Sequence, residues 1–252
     1  MRHPLSTPGS SSGRSVAVPA ALLPIVGPAD DALVTAQRLG QWCSRAPEME
    51  EDVALTNIAL DQLGTARLLY SLAGELEGAG RGEDDLAYLR DQRDFHNVLL
   101  VELPDRDFAV MIAKLLFLAA YQCDLYRRTA ADPAGGPLAA IAAKAAKESA
   151  YHLDHARLWT LRLGDGTDES HRRMQAAVDE VWPYTHELFE AVPAARADWL
   201  STVEPVLARA TLRRPADGWA PTGGRAGRHT EAMSYLLAEL QVVHRAHPGA
   251  RW

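Results

Sequence analysis

Residues 137–163 read PLAAIAAKAAKESAYHLDHARLWTLRL, a run opened by Pro137, which suits the first helical turn, and closed by the Gly164 to Gly166 stretch. Its first half is rich in alanine, which favours the helix and lets a neighbouring backbone approach closely. At about 1.5 Å per residue such a helix is nearly 40 Å long. Three earlier segments have the same texture. Over 30–45, Leu33, Ala36, Leu39, Trp42 and Cys43 recur at three- and four-residue spacing, with Asp30 available as a cap. Pro47 and the acids Glu48, Glu50, Glu51 and Asp52 open a second helix, whose stripe runs Leu55, Ile58, Ala59, Leu63, Ala66 and Leu69 to the glycines of 78–82. A third, over 105–131, is apolar on more than one face and is stopped by Asp132-Pro133 and Gly135-Gly136.

Four long helices in succession predict an antiparallel bundle. The roughly 40 residues between the second and third hold a short helix and an irregular connection, the long crossover of ferritin-like bundles; an up-down-up-down bundle with a decorated connection is the alternative. A fifth helix from Thr167 should break at Trp182-Pro183, where proline removes a backbone donor, and 198–213 and 229–246 each suit one more. The expected fold is all-α, a ferritin-like helical bundle with additional short helices over 28–252. Residues 1–27, rich in Ser, Gly and Pro at their start, are expected to be a disordered tail.

The chain has 252 residues, 47% apolar and 23% charged, with a formal charge of −7. That balance suits a globular protein and disfavours nucleic acid, since no basic cluster with interleaved aromatics overrules it. No uninterrupted apolar run reaches the ~18 residues of a membrane span. VAVPAALLPIV at 16–26 is broken by two prolines and is followed by no clear cleavage site, so export is not expected. Cys43 and Cys123 are too few for a disulfide framework, which points to a reducing cytoplasm.

A bundle of this size raises the question of a di-metal centre, which needs a carboxylate from each of two helices and Glu-x-x-His from each of the other two. On the second helix the acid is Asp61, and Gly64 stands three residues on. On the fourth it is Glu148, and Tyr151 stands three residues on, with His152 displaced by one position, about 100° round the helix. The third helix offers Asp124, and the first only Asp30 and Asp31 at its start. Asp61, Glu148 and His152 therefore read as members of a buried polar network or a surface, and no metal is expected in this chain. His152 and His155 are half a zinc site without a third ligand, and His186-Glu187 with Glu190 does not complete HExxH.

The segment 222–231, TGGRAGRHTE, precedes the last helix. Gly223, Gly224 and Gly227 free backbone amides, and Arg225 and Arg228 can meet carboxylates or phosphates, so the loop, with His229 and Glu231, reads as a partner-docking element. The bland alternative is a turn followed by a helix capped by Thr230.

WCSRAPEMEEDVALTN at 42–57, LDQLGTAR at 60–67, KAAKESAYH at 144–152 and the 222–231 segment, in this order, resemble the C subunits of bacterial phenylacetyl-CoA epoxidases, the ring-1,2-phenylacetyl-CoA monooxygenases. The similarity runs from about residue 30 to 252. It implies a ferritin-like, catalytically silent subunit that stabilises a related catalytic A subunit, alongside a small B subunit. The A subunit holds the di-iron centre and the phenylacetyl-CoA; a reductase carrying flavin and an iron–sulfur cluster supplies electrons from NADPH. Gly64 and Tyr151, where a working centre would place His, agree with that division. The rival readings are an active di-iron oxygenase built on Asp61, Asp124, Glu148 and His152, and a stand-alone helical binding module.

Overall fold

A computed structural model describes residues 17–250. Helix α1 spans Leu23–Gly40 and α2 spans Met49–Glu77; the crossover carries α3 (Glu83–Tyr88), a 3-10 turn at Gln92–Asp94 and α4 (Leu99–Glu102). Then follow α5 (Phe108–Ala130), α6 (Gly136–Gly164), α7 (Asp168–Val181), a 3-10 segment at Trp182–Phe189, α8 (Ala195–Arg209), a 3-10 turn at Gly224–Ala226 and α9 (Glu231–Ala246). Among the described residues there is no strand. The architecture is the all-α, ferritin-like bundle with added short helices that the sequence predicts.

Local chemistry sets the ends. Glu50, Glu51 and Asp52 occupy the first turn of α2, and Gly78 ends it in the left-handed conformation at φ 68°. Asp107 caps α5 by accepting the Val110 amide at 3.0 Å. The fifth helix stops where Trp182-Pro183 predicts, and the chain tightens into a 3-10 segment.

The first helix begins earlier than expected. Residues 20–27, assigned to the tail, form a 3-10 turn and the first turn of α1, because Pro24 lies in the first turn, where a helix leaves its amides unbonded. Of the rest of the expected tail, residues 17–19 have no regular secondary structure and residues 1–16 lie outside the described residues. The shift places Asp30 and Asp31 well inside the helix and buried, so neither serves as its cap.

The long helices pack as two pairs, α1 with α2 and α5 with α6, and α2 also lies on α6. Val110, Ile112, Leu116 and Phe117 of α5 are fully buried. Although α5 is long and apolar enough by composition to cross a membrane, most of it is enclosed by the bundle. Trp182 and Trp199 extend the core beside Phe117, and the Trp199 indole donates to the Phe117 carbonyl at 3.0 Å.

Candidate functional site

The centre of the bundle is polar. Gln62 on α2 and Gln122 on α5 donate to each other's carbonyl oxygens at 2.8 and 3.1 Å. The second hydrogen of the Gln62 amide faces His152 Nδ1 on α6 at 3.4 Å, and His152 Nε2 meets Asp61 Oδ2 at 3.0 Å. This arrangement assigns the tautomer: Nε2–H donates to the carboxylate, and Nδ1 keeps its lone pair toward an amide donor. A second proton would set N–H against N–H. Burial lowers the His152 pKa in spite of Asp61, so the imidazole is held neutral.

The sign of the resulting pH effect is definite. The unfolded chain binds the proton more readily than the folded one, so this contribution is complete above pH about 6.5 and is lost as pH falls below it. The expected result is that the melting-temperature gap between the wild type and His152→Gln, measured from pH 8 to pH 5, narrows below that point. A constant gap would contradict a neutral, buried His152.

The expected degenerate positions lie beside this centre. The buried face of α6 runs through Ala142, Ala145, Ser149, His152 and Ala156, which turns Tyr151 outward to 76% exposure. Gly64 has open space where a side chain would begin. Neither position faces the middle of the bundle. Glu148, half-buried, pairs with Lys144 on its own helix, and Asp124 pairs with Arg128. His155 meets Glu51 rather than sharing a ligand with His152.

These side chains do not fit a di-metal centre. Among the described residues no three His, Cys, Asp or Glu side chains come together as a metal-holding group. The middle is occupied by two amides that complete each other, and both nitrogens of the one imidazole are engaged. Gln62 and Gln122 were missed from the sequence. Their signal was position, since Gln62 lies on the stripe of Leu55, Ile58, Ala66 and Leu69, and all five are buried.

A second polar assembly ties the 222–231 loop to α1 and the crossover. Arg225 binds Asp31 through both terminal nitrogens, at 3.1 and 2.6 Å, and donates to the His96 carbonyl at 2.8 Å. Burial alone would lower the Arg225 pKa, but the Asp31 charge holds it above its ordinary range. His229 donates from Nε2 to the Phe95 carbonyl at 2.9 Å, with Glu102 at Nδ1; Glu102 raises its pKa against the effect of burial. The loop's main cation is thus taken up inside the chain by Asp31, which corrects the expectation that Arg225 is free for a partner. Arg228 and Glu231 are exposed. Thr230 stands at the cap position of α9 without capping it, and its amide is taken by Glu102 at 3.2 Å.

Two helical pairs joined by a long crossover, with polar side chains meeting at mid-bundle, define a ferritin-like helical protein. Within that class the chain belongs to the phenylacetic acid catabolic protein family, which matches residues 12–252. It is similar to the C subunit of 1,2-phenylacetyl-CoA epoxidase from Escherichia coli (strain K12), with 45% identity over 240 residues covering 88% of this chain and 95% of that relative.

Proposed function

We propose that this chain is the non-catalytic, structural subunit of a multicomponent phenylacetyl-CoA 1,2-epoxidase in aerobic phenylacetate breakdown, pairing with and stabilising the di-iron A subunit in the cytoplasm. The observation that carries the reading is the closed Gln62–Gln122–His152 cluster, whose neighbouring carboxylate, Asp61, is taken up by His152, so that among the described residues no set of ligands is assembled there to hold two metals. The E. coli relative is by its name one subunit of a larger enzyme.

The surface also favours a partner. Val53 and Leu60 on α2 and Tyr151 and Leu158 on α6 are large, apolar and exposed, at seven-residue spacing on two helices in contact. Such a stripe suits another helical subunit better than water. Obligate subunits bury roughly 2,000 Å² or more, and this face supports that reading better than the 222–231 loop does.

The test is elemental analysis for iron, on the chain purified alone and co-expressed with its A subunit. The expected result is none on the isolated chain and about two per heterodimer. Near two irons on the isolated chain would make it an oxygenase in its own right.

A further inference from the structure

His229 and Glu102 have no exposed side-chain surface, and they meet where the segment before α9 lies against the crossover and α4. The two ring nitrogens of His229 make demands that a neutral imidazole cannot meet together. Nε2 faces the Phe95 carbonyl at 2.9 Å, so it carries a hydrogen. Nδ1 faces Glu102 Oε2 at 3.5 Å, and neither of these two atoms has any other partner. A neutral ring would set the Nδ1 lone pair against a buried carboxylate, so a second proton belongs between them. It sits on Nδ1, because imidazole is the stronger base. The arrangement is the reverse of that at His152, whose Nδ1 faces an amide donor.

The other Glu102 oxygen accepts the Thr230 amide at 3.2 Å, so the same pair also holds the residue that precedes α9. The charged groups around it are committed elsewhere. Asp30 on α1 is bound by Arg90, Arg38 on α1 donates to the Glu102 backbone carbonyl, and Glu187 accepts three backbone amides. The 3-10 turn at Gln92–Asp94 offers the uncharged Gln92 amide, which donates to the Thr230 carbonyl at 3.4 Å. Of these groups only His229 is of a type that titrates near neutrality.

We propose that His229 and Glu102 form a proton-operated latch on the start of α9: the protonated pair locks residues 228–234 onto the crossover and α4, and loss of the proton at alkaline pH lets that segment lift. The opening is confined at both ends. Gly223 and Gly224 stay bound to Glu187, and further along α9 Gln241 still donates to the Ala87 and Arg90 carbonyls. Although burial lowers the His229 pKa, the Glu102 charge raises it above its ordinary value. The unfolded chain therefore releases this proton near pH 6.5 and the folded chain at a higher pH. The contribution of the latch is complete below about 6.5 and is lost as pH rises through the folded value. The proposal does not depend on the subunit role.

The test is made on the full-length chain labelled with 15N. At pH 7 both ring nitrogens of His229, assigned by comparison with His229→Gln, should carry hydrogens, and Nδ1 should lose its own as pH rises. Amide exchange at Thr230 and Met233, expressed as protection against the intrinsic rate at each pH, should lose about tenfold or more between pH 7 and pH 9.5, while Gly223 and Gly224 stay level. Glu102→Gln separates a latch from a merely structural contact. Its NH2 can donate to Nδ1 of a neutral ring and its oxygen can accept the Thr230 amide, so protection there should no longer depend on pH. Three results overturn the proposal: a His229 ring with a single hydrogen at pH 7, protection at Thr230 and Met233 that is independent of pH in the wild type, or the same loss in Glu102→Gln.

Discussion

Replacing Arg90 by methionine will destabilise the chain by about 3–5 kcal/mol, the usual cost of leaving one member of a buried ion pair alone. Arg90 and Asp30 have no solvent-exposed side-chain surface. The guanidinium binds both oxygens of Asp30, donates to the Tyr70 hydroxyl at 3.0 Å and to the Asp94 carbonyl at 2.8 Å, and lies 4.1 Å from the centre of the Phe95 ring. Asp30 in turn accepts the His96 amide at 2.7 Å and the Tyr70 hydroxyl. One side chain thus joins α1, α2 and the crossover. Its removal strands a carboxylate among apolar groups, and the loss is a large share of the roughly 5–15 kcal/mol that holds a domain together.

The measurement is urea unfolding, where that loss moves the midpoint down by roughly 1–2 M for a slope near 2–3 kcal/mol/M. Combining Arg90→Met with Asp30→Asn should recover more than half of it, because asparagine accepts the His96 amide without a buried charge. Full stability in the single variant would show that Asp30 is not held as an ion pair.

The parts of this fold that could be read from sequence are those with local causes. The α2 start follows from its acids, its end from Gly78, and the break after α7 from Trp182-Pro183; each acts within one helical turn. The start of α1 was misplaced because Pro24 reads as a breaker, although in the first turn a proline has no donor to lose. The mid-bundle cluster was legible only in part. His152 was singled out, but the two amides of its cluster, Gln62 and Gln122, stand 90 and 30 positions away, and an amide reads alike on a surface and in a core. Arg90 and Asp30 are 60 positions apart and share no local pattern at all. The 222–231 loop was recognised as unusual for sound reasons, since its glycines are required. What reversed was the direction in which it faces, for Arg225 points inward to Asp31.

That inward attachment leads to the second large effect, in Glu187→Gln. Glu187 Oε1 accepts the amides of Gly223 at 2.9 Å and Gly224 at 2.7 Å, and Oε2 accepts that of Leu99 at 2.6 Å. A carboxylate can take all three because both oxygens are acceptors, whereas glutamine must turn an NH2 toward one of the amides. Turned toward Leu99 it faces a donor with a donor; turned the other way it forfeits two bonds. Losing a charge-assisted hydrogen bond and leaving a buried N–H unpaired together cost about 2–4 kcal/mol. The loop has no alternative seat. A side chain at Gly224 would fall 2.2 Å from the Asn97 carbonyl, and Gly227, at φ 73°, would meet the Arg93 carbonyl at 2.3 Å, so its backbone already lies directly against the crossover. Amide hydrogen exchange should therefore quicken at Gly223, Gly224 and Leu99 together in Glu187→Gln, while the α5 core retains its protection. Acceleration at Leu99 alone would mean that the loop is held by Arg225 and Asp31, and Arg225→Ala would then release it with Glu187 intact.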